Sequence, residues 1–95
     1  MKNLVTSQVV LEKLKNRHKV TIREIEQCFE NKIGTYLSDD REQHQSGSPT
    51  LWFVAPTNRD RLLKVVFVYE DGNIHVKSAY EPTPAVIDLY DRLGK

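Results

Sequence analysis

The sequence predicts one α+β domain over residues 1–95: two amino-terminal helices, an antiparallel sheet of three or four strands, and a carboxy-terminal helix, stacked as two layers. Three observations carry the prediction. Apolar residues recur at spacings of three and four up to residue 31, and runs of β-branched and aromatic residues fill much of 51–80 around an Asp-Gly pair. A Thr-Pro pair then opens a last amphipathic stretch.

Thr6 or Ser7 caps the first helix, in which Val10, Leu11 and Leu14 form an apolar stripe while Lys13, Lys15 and Arg17 stay largely outside it. This helix should end between Asn16 and Lys19, because Thr21-Ile22-Arg23-Glu24 reads as a capping box in which the Thr21 hydroxyl and the Glu24 carboxylate satisfy amides at a new helix start. Ile22, Ile25 and Phe29 make the buried stripe of helix two, and Asn31 closes it. Ile33-Gly34-Thr35-Tyr36-Leu37 has enough β-formers for a short strand, and the polar run from Ser38 to Ser48 reads as the one long loop.

Leu51–Val54 and Leu62–Tyr69 follow as strands. Asp71-Gly72 is a strong signal for a two-residue hairpin turn into Ile74–Tyr80. Such a turn sets Phe67 opposite Val76, Val65 opposite Ser78 and Leu63 opposite Tyr80, an apolar face that should meet the helices. Lys64, Val66 and Val68 then share the outer face with Ala79, Lys77 and His75. Pro82 and Pro84 stop the strand, Thr83 caps the last helix with Pro84 at its first position, and Val86, Leu89, Tyr90 and Leu93 should point inward with Gly94 past the end.

Hydrophobic residues make up 39% of the chain, charged residues 28%, and the net charge is +1, a balance that favours a folded chain over a disordered one. A domain of this size buries only about 60% of its unfolded surface, so a deep cavity for a large cofactor is not expected. Cys28 is the single cysteine, and His18, His44 and His75 are too scattered for a short metal motif, so neither a disulfide framework nor a metal site is expected. Phosphate-binding, dinucleotide, zinc-protease and serine-hydrolase motifs are absent from the sequence. With no apolar run of membrane length and no apolar core in the first residues, the expected location is the cytoplasm. The charge is uneven: six cations, Lys2, Lys13, Lys15, Arg17, Lys19 and Arg23, stand against Glu12 alone, giving +5 over residues 1–23 and −4 over the rest. A basic end points to an anionic partner, nucleic acid or an acidic protein segment.

Element order and three short stretches resemble the BrnT-like toxins of bacterial type II toxin–antitoxin pairs, which share the RelE/ParE-like fold. Arg17-His18-Lys19-Val20-Thr21, leading to Glu24 and Phe29, is similar to the family's Lys-His-Gly-Val-Ser before its second helix. Arg61-Leu62-Leu63-Lys64-Val65-Val66-Phe67 is like its Gly-Arg-x-Leu-x-Val-Val-Phe strand, and Ser78-Ala79-Tyr80 resembles a Ser-Ala-Arg at the end of the final strand, before a helix holding a tyrosine, here Tyr90. Lys19 departs from a family glycine and Tyr80 from a family arginine. The resemblance implies a small RNA-binding endoribonuclease that slows translation, acting on RNA with or without the ribosome. It further implies a cognate antitoxin, usually a ribbon-helix-helix DNA-binding protein, as partner.

Metal-free RNA cleavage needs a base for the 2′-OH proton, cations for charge building on phosphorus, and an acid for the 5′ oxygen. His18, Arg61, Lys64 and Tyr80 are the candidate catalytic residues, and Lys13, Arg17, Lys19, His75, Lys77 and Glu81 the candidate RNA- or antitoxin-binding set. Each has a plainer reading. His18 can complement the dipole of helix one, Arg61 can form an exposed ion pair with Asp60 or Glu81, and Lys64 and Lys77 can keep an outer sheet face soluble. Tyr80 can pack on Leu63, His75 can be solvated near the turn, and Cys28 and Trp52 can be core.

Two function classes therefore stand: a toxin with endoribonuclease activity, or a non-catalytic interaction module of the same fold within an antitoxin or defence complex. Hydrolysis of ADP-ribose from protein is a minor third, since such hydrolases are far longer and hold magnesium on clustered carboxylates, whereas Asp39-Asp40-Arg41-Glu42 falls in a polar run.

Overall fold

The computed structural model describes residues 3–43 and 47–95, with side chains described outside 40–43. Five strands form one sheet in the order β1-β5-β4-β3-β2, with β1 at Leu4–Val5, β2 at Leu37–Gln43, β3 at Pro49–Pro56, β4 at Leu62–Glu70 and β5 at Asn73–Tyr80. The helices are α1 (Gln8–Lys13), which runs into a π-helical turn at Leu14–His18, α2 (Ile22–Asn31) and α3 (Pro84–Leu93). The α+β class holds, with a larger sheet than expected and a mixed one. β1 lies parallel to β5 with Leu4 beside Ile74 and Val5 beside His75, while the other neighbours are antiparallel. Two residues carry no periodicity, so β1 leaves no trace in the sequence. It is set by non-local bonds, from the Ile74 amide to the Asn3 carbonyl at 2.8 Å and from the Asn3 side chain to the Gly72 carbonyl at 2.8 Å.

The two-layer expectation is corrected as well, because helices cover both sheet faces. Phe53, Ala55, Leu63, Val65 and Phe67 form one face and pack with Ile25, Cys28 and Phe29 of α2, the Phe29 ring lying 4.8 Å from Phe53 and 5.3 Å from Phe67. On the other face Trp52 and Val54 pair with Val66 and Lys64, and the Trp52 ring meets Tyr90 of α3 at 5.8 Å. No helix of the described residues is long and apolar enough to cross a membrane.

Ser7 caps α1 by accepting from the Val10 amide, and Leu14 is fully buried, but Leu11 remains exposed. Past Lys13 the helix widens, and the Lys19 and Val20 amides both turn back to the Leu14 carbonyl. Lys19 takes the left-handed conformation at φ 55°, the position that glycine fills best at a helix end. The capping box of α2 forms as expected, with Glu24 N donating to Thr21 Oγ1 and Thr21 N donating to Glu24 Oε1, and α2 ends at Asn31.

The strand expected over residues 33–37 does not form, apart from Leu37. Its backbone instead docks the end of α3: the Thr35 amide donates to the Gly94 carbonyl at 2.7 Å and the Tyr90 hydroxyl donates to the Thr35 carbonyl at 2.8 Å. A Cβ on Gly34 would lie 2.5 Å from Tyr90 Oη and 2.6 Å from the Gly94 carbonyl oxygen, so glycine is required by this close approach. The expected long loop is also shortened, since Leu37–Gln43 pairs with β3 as the outer strand; residues 44–46, His44 among them, lie outside the described residues. Polar and acidic residues disguise this strand because edge strands accept charge.

Asp71 at φ 55° and Gly72 at φ 78° make the expected two-residue turn, of the kind whose twist suits a hairpin. Near the turn the register is as expected, with Phe67 opposite Val76. Beyond it a bulge at Lys77 adds one residue to β5, so that Val66 faces Ser78, Val65 faces Ala79 and Lys64 faces Tyr80. Val65 therefore does not oppose Ser78, nor Leu63 Tyr80. Ala79 enters the core and Tyr80 moves to the face of Lys64. In α3, Thr83 accepts from the Val86 amide and Tyr90 is buried, while Leu93, expected inward, is 59% exposed.

Candidate functional site

One end of the β4–β5 hairpin collects residues from three distant segments. Arg61 stands just before β4, Glu81 just after β5, and His18 at the end of the π-helical turn that packs along β5. The Arg61 guanidinium is the centre. Nε and Nη2 donate to Glu81 Oε2 at 3.2 and 3.0 Å, and Nη2 also donates to the His18 carbonyl at 3.1 Å. Nη1 donates to the Lys19 carbonyl at 2.8 Å and to Glu24 at 3.1 Å. An arginine has five N–H donors, and all five of these have a partner inside the chain. Arg61 is thus more than an exposed pair with Glu81: it ties the α1–α2 junction to the hairpin end, and offers no open donor fork to a phosphate in this arrangement.

Glu24, expected in the capping box of α2, has a second role at this end. Its second role needs Arg61, which is 37 positions away, and no local pattern signals that pairing. Burial would raise the Glu24 carboxyl, but the Thr21 amide and the Arg61 guanidinium outweigh it and hold the group below the usual carboxylate range.

His18 and Tyr80 meet ring to ring at 5.4 Å, tilted by 37°. The imidazole is held below its ordinary value of 6.5, first by desolvation and then by the positive charges of Lys13 and Arg17, so it is neutral at pH 7. A simple helix-end role would raise it instead. Lys64 approaches the Tyr80 ring to 5.8 Å and the Trp52 ring to 4.7 Å. It does not sit on an outer solvent face, because that face is covered by α3 and Lys64 is 8% exposed. The four candidate catalytic residues are therefore linked in one chain of contacts, Arg61 to the His18 backbone, His18 to Tyr80, and Tyr80 to Lys64.

The expected binding set divides. Glu81 belongs to this end through Arg61, and Arg17 and Lys19 are exposed beside His18 in sequence. The Lys13 ammonium turns to the sheet and donates to the Lys77 carbonyl at 3.1 Å, so Lys13 and Lys77 meet at the bulge. His75 is separate: it pairs with Val68 near the turn and lies beside Val5 of β1, about 16 Å along the strand from Tyr80. Cys28 is fully buried with Sγ 3.4 Å from the Ala55 carbonyl, and burial, with the nearby Glu24 carboxylate, pushes its thiol up to about 12. It acts as core, and so does Trp52. Among the described residues no three His, Cys, Asp or Glu side chains group as metal ligands.

The arrangement combines a neutral imidazole, a phenol and an ammonium at one end of a hairpin, beside a helix with a basic surface. No protein-family model, curated protein or solved structure matches the chain.

Proposed function

We propose that the chain is the toxin of a bacterial type II toxin–antitoxin pair, a BrnT-like, metal-independent endoribonuclease whose site is the His18–Tyr80 end of the hairpin. The observation that carries this reading is the convergence of His18, Arg61, Lys64, Tyr80 and Glu81, which are scattered in sequence, into one contact network. Neutral His18 takes the proton of a ribose 2′-OH, and the 2′ oxygen attacks the adjacent phosphorus. The Tyr80 hydroxyl gives its proton to the departing 5′ oxygen, with Lys64 supplying positive charge behind the ring. Exposed Lys15, Arg17 and Lys19 hold the RNA backbone, and Arg61 holds the His18 segment in place. A ribbon-helix-helix antitoxin covers this surface in the resting complex.

The test is purified protein incubated with RNA, with and without ribosomes, beside His18→Ala and Tyr80→Phe. Wild type leaves fragments, and loss of the base lowers the rate about 10²-fold or more. Folded wild type that neither cuts RNA nor arrests growth on induction sinks the reading.

One observation favours a second reading, the non-catalytic interaction module. With every Arg61 donor engaged and Lys64 covered, few cations remain to meet charge on phosphorus. In that case the basic helix surface binds an acidic protein segment, and RNA remains intact while a complex with that partner forms.

A further inference from the structure

Lys64 is a poor choice for a purely structural strand position. Its neighbours on the same sheet face, Val66 and Val68, are apolar, and since no buried side-chain nitrogen among the described residues lacks a hydrogen-bond partner, the Lys64 ammonium reaches solvent at its tip although most of the side chain is covered. At 8% exposure Lys64 has two ring faces as partners, Trp52 at 4.7 Å and Tyr80 at 5.8 Å, and no hydrogen bond or ion pair among the described residues. Rings attract the charge but accept no conventional hydrogen bond.

Lys64 lines a groove of about 510 Å³ between the sheet and α3, together with Trp52, Val86, Leu89 and Leu93 and with Asp39 of β2. Its size falls in the range of small-molecule sites, about 300–1,000 Å³, and mostly apolar walls around a few polar groups are their usual composition. Leu93 fits the same picture, since this apolar side chain of the last helical turn lies outside the core, 59% exposed, and lines the groove.

We propose that this groove binds a small organic carboxylate with an apolar body, the carboxylate on the Lys64 ammonium and the body between Trp52 and α3. A single ammonium set in mostly apolar walls matches a single negative charge better than the nearly double charge of a phosphate. The site opens on the α3 side of the sheet and goes beyond the proposed RNA chemistry.

Trp52 is the one tryptophan of the chain, so its indole N–H gives a unique NMR signal. Titration of the full chain with 4-phenylbutyrate should move this signal saturably, with 4-phenylbutanamide and inorganic phosphate each at least about tenfold weaker. Lys64→Met should remove the response, and Leu93→Glu, at an exposed position, should weaken it about tenfold by placing a carboxylate on the lining. The proposal is overturned by a signal that phenylbutyrate does not move, by an amide or phosphate that binds as tightly, or by a folded Leu93→Glu chain that responds like wild type. RNA cleavage is read separately, so failure of either proposal leaves the other distinguishable.

Discussion

Replacing Arg61 with glutamine removes six hydrogen bonds and two ion pairs at once, and the structure sets how much each is worth. The Glu81 side chain is 67% exposed, so its pair with Arg61 contributes about 0–1 kcal/mol. Glu24 is 25% exposed and the His18 and Lys19 carbonyls are held against the guanidinium, so these charge-assisted bonds contribute more, about 2–3 kcal/mol together after allowance for water on the open side. A total of about 2–4 kcal/mol is a large share of the stability of a small domain, and corresponds to a fall in Tm of about 10–25 °C. Urea and thermal unfolding at pH 7 measure it. The pH dependence gives a second check. Because the folded Glu24 carboxyl lies below its ordinary 4.5, its contribution is complete above that value and is lost as pH falls through the lower folded one. The gap between wild type and Arg61→Gln should therefore be full at pH 7 and narrow as pH falls below about 4.5. A loss under about 0.5 kcal/mol at pH 7, the ordinary range of a surface substitution, would refute the clamp.

Lys19→Gly should raise stability by about 0.5–1 kcal/mol, since φ 55° strains an L-residue and Arg61 uses only the Lys19 carbonyl; a lower urea midpoint would contradict this. His18 should titrate below 6.5 by NMR, and Arg17→Gln should move the midpoint upward. The fold favours neutral His18, so its contribution to stability is present above pH 6.5 and is lost as pH falls through the folded value; a midpoint at or above 6.5 excludes the environment described. Gly34→Ala should cost about 2 kcal/mol by pushing Tyr90 and Gly94 apart, and unchanged unfolding would show that the close approach is not a constraint.

Local chemistry made much of the fold legible. Ser7, Thr21 and Thr83 cap their helices where the sequence placed them, because a cap needs only its own next three residues. Asp71-Gly72 likewise carries its turn within itself. What stayed hidden depends on distant partners. Gly34-Thr35 looked like strand because nothing in those residues announces the carboxy-terminal helix end that takes their backbone, and Ser38-Asp39 looked like loop because an outer strand needs no apolar alternation. The site followed the same division. Residue types suited to RNA chemistry could be named, but the Glu24–Arg61 pair and the burial of Lys64 beneath α3 arise only when segments far apart in the chain meet.

The extra residue at Lys77 makes β5 behave as two half-strands of opposite phase. The half beside the turn keeps step with the Asp71-Gly72 geometry, and the half beside Arg61 keeps step with the helices. Were Lys77 paired rather than bulged, the register set at the turn would run on unbroken and trade two side chains across the sheet, bringing the small Ala79 methyl beside Lys64 and setting the Tyr80 phenol opposite Leu63 on the packed face under α2. The bulge thus decides which side chain stands beside Lys64, and the Lys13 ammonium on the Lys77 carbonyl is the pin that keeps the two halves out of step.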